Sequence, residues 1–465
     1  QRIVQNSLTA VVRWWYMKER PERGSRAPRG GDSERGDGRE SGIEVRPGPP
    51  HGSGGPRLSD REQRKHPAAA SRPGASKRPV KVRLERRSPR GGPAGAPEAI
   101  ADALLFFEEG MARFHAGDVP GAIGACEAAT RSDPGFLDAW YNLGRLHDIA
   151  GNGEAAARAF RKAIAIRPDR PEIWFHLGNV EDSLGHGPAA VEAFREAVRL
   201  DAALHEAWNN LANAYVQLGR IDEAVACCRR AVDLAPDRWE SWSNLATALM
   251  EIDDTGSAIE AYREALRIRP DAHQVWYNLA LAEASGGRFE EAAEHYRRAA
   301  EIVPDDYEIW YNLGNVLLED GRVEEAVRAF EASIDRCRDD HEVWNNLGNA
   351  LARLGRNVEA IGCFETALRI CPSYDLAWNN LGSVHEEAGH LEAAADAYAR
   401  AVELAPCQPT YHWSLASALA RGHEPARAAE SLARALRLAP EMRSLLPGFA
   451  EFAPLLDHPD VKAPR

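Results

Sequence analysis

Lysine is the scarcest charged residue in the body of this chain. Between residues 103 and 442 there is one, Lys162. Long apolar runs are missing too: nothing approaches about 18 consecutive apolar residues, so no membrane-spanning helix is expected. The seven cysteines include the neighbours Cys227 and Cys228 but no C-x-x-C pair. That spacing excludes the usual zinc and dithiol motifs, and it reads as reduced thiols in a cytoplasmic protein. Signatures of chemistry are absent as well. There is no G-x-x-x-x-G-K-[ST] phosphate loop, no H-E-x-x-H and no G-x-S-x-G. The fifteen histidines are scattered; His147, His176, His205, His273 and His341 never recur with acids or cysteines at ligand spacing. No catalytic residue, metal or cofactor is expected.

What the chain has in abundance is a period of 34. Trp stands at 140, 174, 208, 242, 276, 310, 344 and 378, with Leu three residues after each. With Trp140 as position 4, the register runs from Ala103 to Met442, ten repeats of 34. Position 8 is small (Gly144, Gly178, Ala212, Ala246, Ala280, Gly314, Gly348, Gly382). Position 20 is Ala throughout, from Ala122 to Ala428, and position 27 is Ala except for Ser333. Position 24 is usually aromatic, as in Phe160, Phe194, Tyr262, Tyr296, Phe330, Phe364 and Tyr398. Position 32 is Pro except at Ala202 and Arg338. A fixed period of this size means stacked repeats.

The physical reading is a pair of helices per repeat. Trp, Leu and the small residue share one face of a first helix; Ala, aromatic and Ala at 20, 24 and 27 share one face of a second. Gly near position 15 (Gly151, Gly185, Gly219, Gly287, Gly321, Gly355, Gly389) ends the first helix in the left-handed conformation. Asp253 stands there in the fifth repeat, so its turn is expected to differ. Pro120 and Pro188 sit where a second helix begins. The first repeat is a degenerate cap, with Phe106 for Trp and Glu109 for Leu. The tenth moves its Trp to Trp413 and has Leu432 for the aromatic.

The pattern W-x2-L-G-x2-Y, then A-x3-F, then P, resembles the tetratricopeptide repeat family. The resemblance covers 340 of 465 residues. It implies an all-α, right-handed superhelical solenoid in which first helices line a concave face, with positions 2, 5, 6, 9, 12 and 13 pointing into it.

Charge divides the chain. Residues 1–97 carry 22 basic and 10 acidic residues, net +12; the other 368 carry 35 and 60, net −25. The Gly/Pro/Arg/Ser-rich stretch 18–97 has almost no aliphatic clusters, and 1–97 is read as a disordered basic tail. The chain opens with Gln and its first Met is Met17, so residues 1–16 carry little weight. Their short apolar run (Val11, Val12, Trp14, Trp15) lacks the cleavage site of a secretory signal. Residues 443–465, with Leu445, Leu446, Phe449, Phe452, Leu455 and Leu456, are read as a closing cap.

The binding surface is expected on the first helices. Position 6 is Asn142, Asn210, Asn244, Asn278, Asn312, Asn346 and Asn380, broken by His176; position 9 adds Asn179, Asn213, Asn315 and Asn349. Asn in a helix interior is less favourable than Ala by up to about 0.7 kcal/mol, so the recurrence asks for a reason. One amide both donates and accepts, and a row of them can hold a peptide backbone. The arrangement resembles the asparagine ladder of the superhelical domain of O-GlcNAc transferase, whose catalytic domain has no counterpart here. The alternative is that Asn was simply copied with the repeat. Position 2 is Asp138, Glu172, Glu206, Glu240, Glu308 and Glu342, with Gln274 and Leu376 departing. Co-chaperones of the family grip a C-terminal carboxylate with Lys and Arg; with Lys162 on a second helix, such a clamp is disfavoured. A groove of amides and acids suits an extended, Lys/Arg-rich peptide, although acids in a first turn also stabilise the helix itself.

The expectation is a non-enzymatic scaffold binding a basic protein segment on its concave face, with residues 1–97 a candidate internal ligand. Two alternatives are a nucleic-acid adaptor acting through the tail and a substrate-recruiting partner of a separate enzyme. Nucleic acid is the weaker partner: the tail has neither Arg-Gly-Gly repetition nor interleaved aromatics.

Overall fold

A computed structural model describes residues 96–462. The expected tail lies outside these residues except for its last two, which open the first helix, Ala96–His115. Among the described residues all regular structure is helical, in ten consecutive pairs and a C-terminal segment. From the second repeat on, the first helix fills positions 1–13 and the second 17–30, as in Leu137–Ile149 and Gly153–Ile166. Eight repeats later the same bounds give Pro409–Arg421 and Pro425–Leu438. The first helix of repeat 1 is longer than its counterparts by seven residues.

The core follows the small residues. Every position-20 Ala, from Ala122 to Ala428, is wholly buried. The exceptional Ser333 at position 27 is wholly buried too, and its hydroxyl donates to the Tyr307 carbonyl at 2.9 Å, so the polar replacement costs no unsatisfied group. Position 8 is set by its partner at position 24. A Cβ on Gly144 would lie 2.7 Å from the Phe160 ring. Phe accordingly occurs at position 24 only beneath Gly, while Ala212, Ala246 and Ala280 pair with Cys228, Tyr262 and Tyr296.

The turn between the two helices is the same in all ten repeats. Position 15 has positive φ everywhere, at eight glycines and also at Asp253 (φ 60°) and His423 (φ 62°). The N–H of position 16 reaches the carbonyl of position 11, as from Asn152 to His147 at 2.8 Å and from Asp254 to Leu249 at 3.0 Å. This six-to-one closure is the Schellman arrangement. The expected departure at Asp253 does not occur: the backbone imposes the left-handed conformation, and Asp tolerates it better than most residues.

The tenth repeat corrects a second expectation. His412 takes position 4, and its Nε2 lies 3.0 Å from the Pro406 carbonyl. Trp413 is not a displaced position-4 Trp. It is almost wholly buried, with Phe449 and Phe452 edge-on at 5.1 and 4.9 Å. Two 3-10 segments, Pro440–Gly448 and Ala450–Leu455, follow the last helix; Phe449 joins them and Phe452 lies in the second. With Leu446, Leu455 and Val461 they cover the apolar faces of the tenth pair.

A Cβ on Gly321 would meet nothing within 4 Å, so its φ of +81° is the only obstacle to a side chain there. Gly321→Ala is expected to cost about 1–2 kcal/mol from the left-handed backbone alone. Urea unfolding monitored by helical circular dichroism measures it.

Candidate functional site

Repeat-to-repeat geometry is set by the tryptophans. In eight repeats the indole N–H of position 4 donates to the carbonyl six residues earlier, position 32 of the preceding repeat, at 2.9–3.1 Å. The acceptor is Pro134, Pro168, Pro236, Pro270, Pro304 or Pro372, but equally Ala202 and Arg338, so the carbonyl matters and the ring does not. With this staple in place, first helices of successive repeats touch at most junctions, while second helices approach one another less closely. The first helices therefore form the inner side of the stack.

On that side the position-6 amides are half-buried, and Asn312 nearly fully. Many of their N–H groups point to the preceding repeat. Asn210 Nδ2 donates to Asn179 Oδ1 at 2.7 Å, and Asn346 Nδ2 to Asn315 Oδ1 at 2.8 Å. Asn312 donates to the Tyr277 hydroxyl at 2.9 Å and Asn380 to Asn345 Oδ1 at 2.9 Å. Asn142 turns back to the Asp138 carbonyl of its own helix, 2.8 Å away. The side chains of Asn244 and Asn278 have no hydrogen bond among the described residues, and the same holds for Asn213 and Asn349. The row is thus a chain of amide bonds between repeats, interrupted in the middle, with spare oxygens along it. Position 5, expected on this face without a role of its own, supplies the partners Tyr277, Tyr311 and Asn345.

The position-2 acids sit beside these amides in two kinds of surroundings. Glu172 pairs with Arg170 at 2.7 Å, Glu206 lies 3.1 Å from His205 Nδ1, and Glu240 lies 3.5 Å from Arg238. Ahead of repeats 7 and 8, position 34 of the preceding repeat is acidic instead. Asp306 and Asp340 cap the helices by accepting from the N–H groups of Glu308 and Glu342 at 3.0 Å. Glu342 also accepts from the Tyr311 hydroxyl at 3.4 Å. Tyr374 ends repeat 8 and Tyr411 lies in the first helix of repeat 10. Burial and then nearby carboxylates, Glu342 for Tyr374 and Asp375 for Tyr411, push both phenols well above the usual range.

His176, where the asparagine row breaks, stacks on Phe160 at 5.9 Å with the rings 12° apart. Burial, reinforced by Arg145, pulls its imidazole down to about 4. It is a half-buried ring, neutral at neutral pH. Three glutamates that the periodicity did not reveal are buried: Glu181, Glu283 and Glu386. Each holds an arginine, Arg161, Arg263 or Arg421.

The cysteines buried on the second helices are poor nucleophiles. Burial raises the thiols of Cys126, Cys227 and Cys363 to about 11 and that of Cys228 to about 12, which suppresses the thiolate. Among the described residues no cluster of three or more His, Cys, Asp or Glu could hold a metal. No helix among them is long and apolar enough to cross a membrane.

Family models described as tetratricopeptide repeat match residues 107–171, 171–204, 205–238, 243–307, 311–375 and 379–443. Similar solved structures include YrrB, described as a TPR protein with an unusual peptide-binding site. It is 21% identical over 40% of this chain and 96% of that one, with a TM-score of 0.37. The C-terminal part of a TPR repeat-containing protein from Cytophaga hutchinsonii is 15% identical over 52% and 99%, with a TM-score of 0.46. The Cut9–Hcn1 hetero-tetramer of the APC/C matches at 14% over 76% and 96%, with a TM-score of 0.38.

His176 gives a pH signature. Its folded value lies below the ordinary 6.5, so its contribution is complete above pH 6.5 and is lost as pH falls toward 4. His176→Asn, which restores the recurring residue, is expected to flatten the decline of melting temperature across that window. Paired thermal scans between pH 7.5 and 4 measure the difference.

Proposed function

Because the chain belongs to the tetratricopeptide repeat family, we propose that its array is a non-enzymatic scaffold that holds an extended, basic segment of a partner protein along the inner face of the first helices. The observation that carries this reading is the distribution of charge and amides on that face. Acids recur at position 2 beside a row of amides, and the single array lysine, Lys162, lies on a second helix.

The two halves of the face suit different parts of such a segment. Position 34 carries Arg170 and Arg238 early in the array and Asp306 and Asp340 later. Glu172 and Glu240 are compensated by these arginines, and Glu206 lies beside His205. In repeats 7 and 8 two carboxylates per repeat flank the start of the first helix. Basic side chains of the ligand belong there, and backbone amides of the ligand belong against Asn244 and Asn278. Electrostatic complementarity of this kind sets partner choice and register more than affinity. Residues 1–97, net +12, are a candidate ligand within the same chain.

Reversing charge at Glu308 and Glu342 together (Glu308→Lys with Glu342→Lys) is expected to weaken binding of a Lys/Arg-rich extended peptide by about tenfold or more, since like charges face to face cost several kcal/mol. Binding of a Gly/Ser peptide should not change. Fluorescence anisotropy with both peptides tests this, and an unchanged affinity for the basic peptide overturns the reading.

A further inference from the structure

We propose that the groove between the second and third repeats, on the second-helix side of the array, is a binding site for the imidazole of a partner's histidine, stacked on Trp174 and hydrogen-bonded to Glu181. The argument comes from comparing three junctions of the same array.

At each of these junctions the groove has the same walls. An arginine at position 25 of one repeat stands opposite Trp at position 4, Leu at position 7 and the residue at position 11 of the next. The floor is position 23 of that next repeat's second helix. Between repeats 5 and 6 the chain fills this groove itself. Position 23 is His295, whose ring stacks on Trp276 at 5.2 Å with the planes 29° apart. Its Nδ1 lies 2.6 Å from Glu283 Oε2. A carboxylate only accepts, so Nδ1 donates. Glu283 is wholly buried, and Arg263 holds its other oxygen at 3.0 Å.

Between repeats 2 and 3 the same fittings surround an open space. Arg161, Trp174, Leu177 and buried Glu181 occupy the four wall positions, and Arg161 pairs with Glu181 as Arg263 does with Glu283. Position 23, however, is Ala193, and a cavity of about 390 Å³ remains where the imidazole of His295 sits three repeats later. The oxygen corresponding to the one His295 uses, Glu181 Oε2, is held by His186 Nδ1 at 2.9 Å. His186 comes from the turn between helices and is half exposed. It can return to water with little desolvation change when a better-placed ring arrives. Stacking on Trp and a charge-assisted hydrogen bond to a buried carboxylate both favour an imidazole here.

The junction between repeats 4 and 5 is the built-in control. Its groove is open too, about 490 Å³, beside Trp242 and Ala261. Position 11 there is Leu249, so the acceptor is missing. An aromatic surface alone should not hold the guest.

The test uses the full chain labelled with 5-fluorotryptophan, with the Trp174 and Trp242 signals assigned from Trp174→Phe and Trp242→Phe. N-acetylhistidine methylamide is titrated at pH 7.5. The Trp174 resonance should move saturably while Trp242 stays in place. Ala193→His, which copies His295, should abolish the response, and Glu181→Leu, which copies Leu249, should weaken it at least fivefold. Either variant carries a residue this array already accommodates at that position. A Trp174 signal that stays still, that moves equally in Ala193→His, or that answers more strongly to N-acetylarginine methylamide overturns the proposal.

Discussion

The hydrogen bond from each position-4 indole to the carbonyl six residues upstream is the constraint on which the rest depends. It crosses the repeat boundary, so it ties the start of one first helix to the end of the previous second helix. A stacked array has only nearest-neighbour contacts to hold its shape. A small error in the angle at one junction would therefore accumulate along the stack. The indole adds a directed bond to an otherwise non-directional apolar contact, and it brings the first helices together in register. Where the Trp is replaced, at His412, another ring nitrogen lies at the same distance from the same carbonyl. The inner face, its amide row and the grooves on the opposite side are all consequences of that repeated spacing.

Most of the architecture was legible because it is periodic. The first and second helices and the left-handed turn could be read by comparing ten copies; that the aromatic at position 24 packs on the small residue at position 8 came only with the structure. What escaped was whatever depends on one copy's neighbours. Asn346 finds Asn315 and Tyr311 in the preceding repeat, whereas Asn278 meets Ser243 and Thr247 at the same places and bonds to neither. Both are Asn at position 6, and no single-repeat argument separates them. Asp253 shows the converse. Its side chain suggested a different turn, but the surrounding hydrogen bonds fix the backbone, and the residue conforms. Trp413 was misread for a related reason: its role is decided by Phe449 and Phe452, which lie beyond the last repeat. Glu181 and Glu283 escaped because an acid at position 11 looks like helix surface until the arginine of the preceding repeat is placed over it; Glu386, at position 12, is held by Arg421 of the next repeat.

These details bear on what the face can do. Amides already bonded between repeats stiffen the inner side, and a ligand would meet their remaining oxygens rather than a free row of donors. The gap at Asn244 and Asn278 leaves amides for a ligand, and repeats 7 and 8 are where two carboxylates flank each first helix. Binding would then be graded along the array, with backbone contacts in the middle and charge toward the C-terminal end. The second-helix side has a different character, with apolar grooves rimmed by arginine and glutamate, one of which the chain has closed with its own histidine.

The central claim is that ligand lies against the first helices. Photo-crosslinking an extended Lys/Arg-rich peptide, with the reactive group moved along its length, tests it most directly. The account predicts adducts on first helices, at positions 2, 5, 6 and 9 of repeats 5–8, around Asn244, Asn278, Glu308 and Glu342. Adducts confined to the second helices would contradict it.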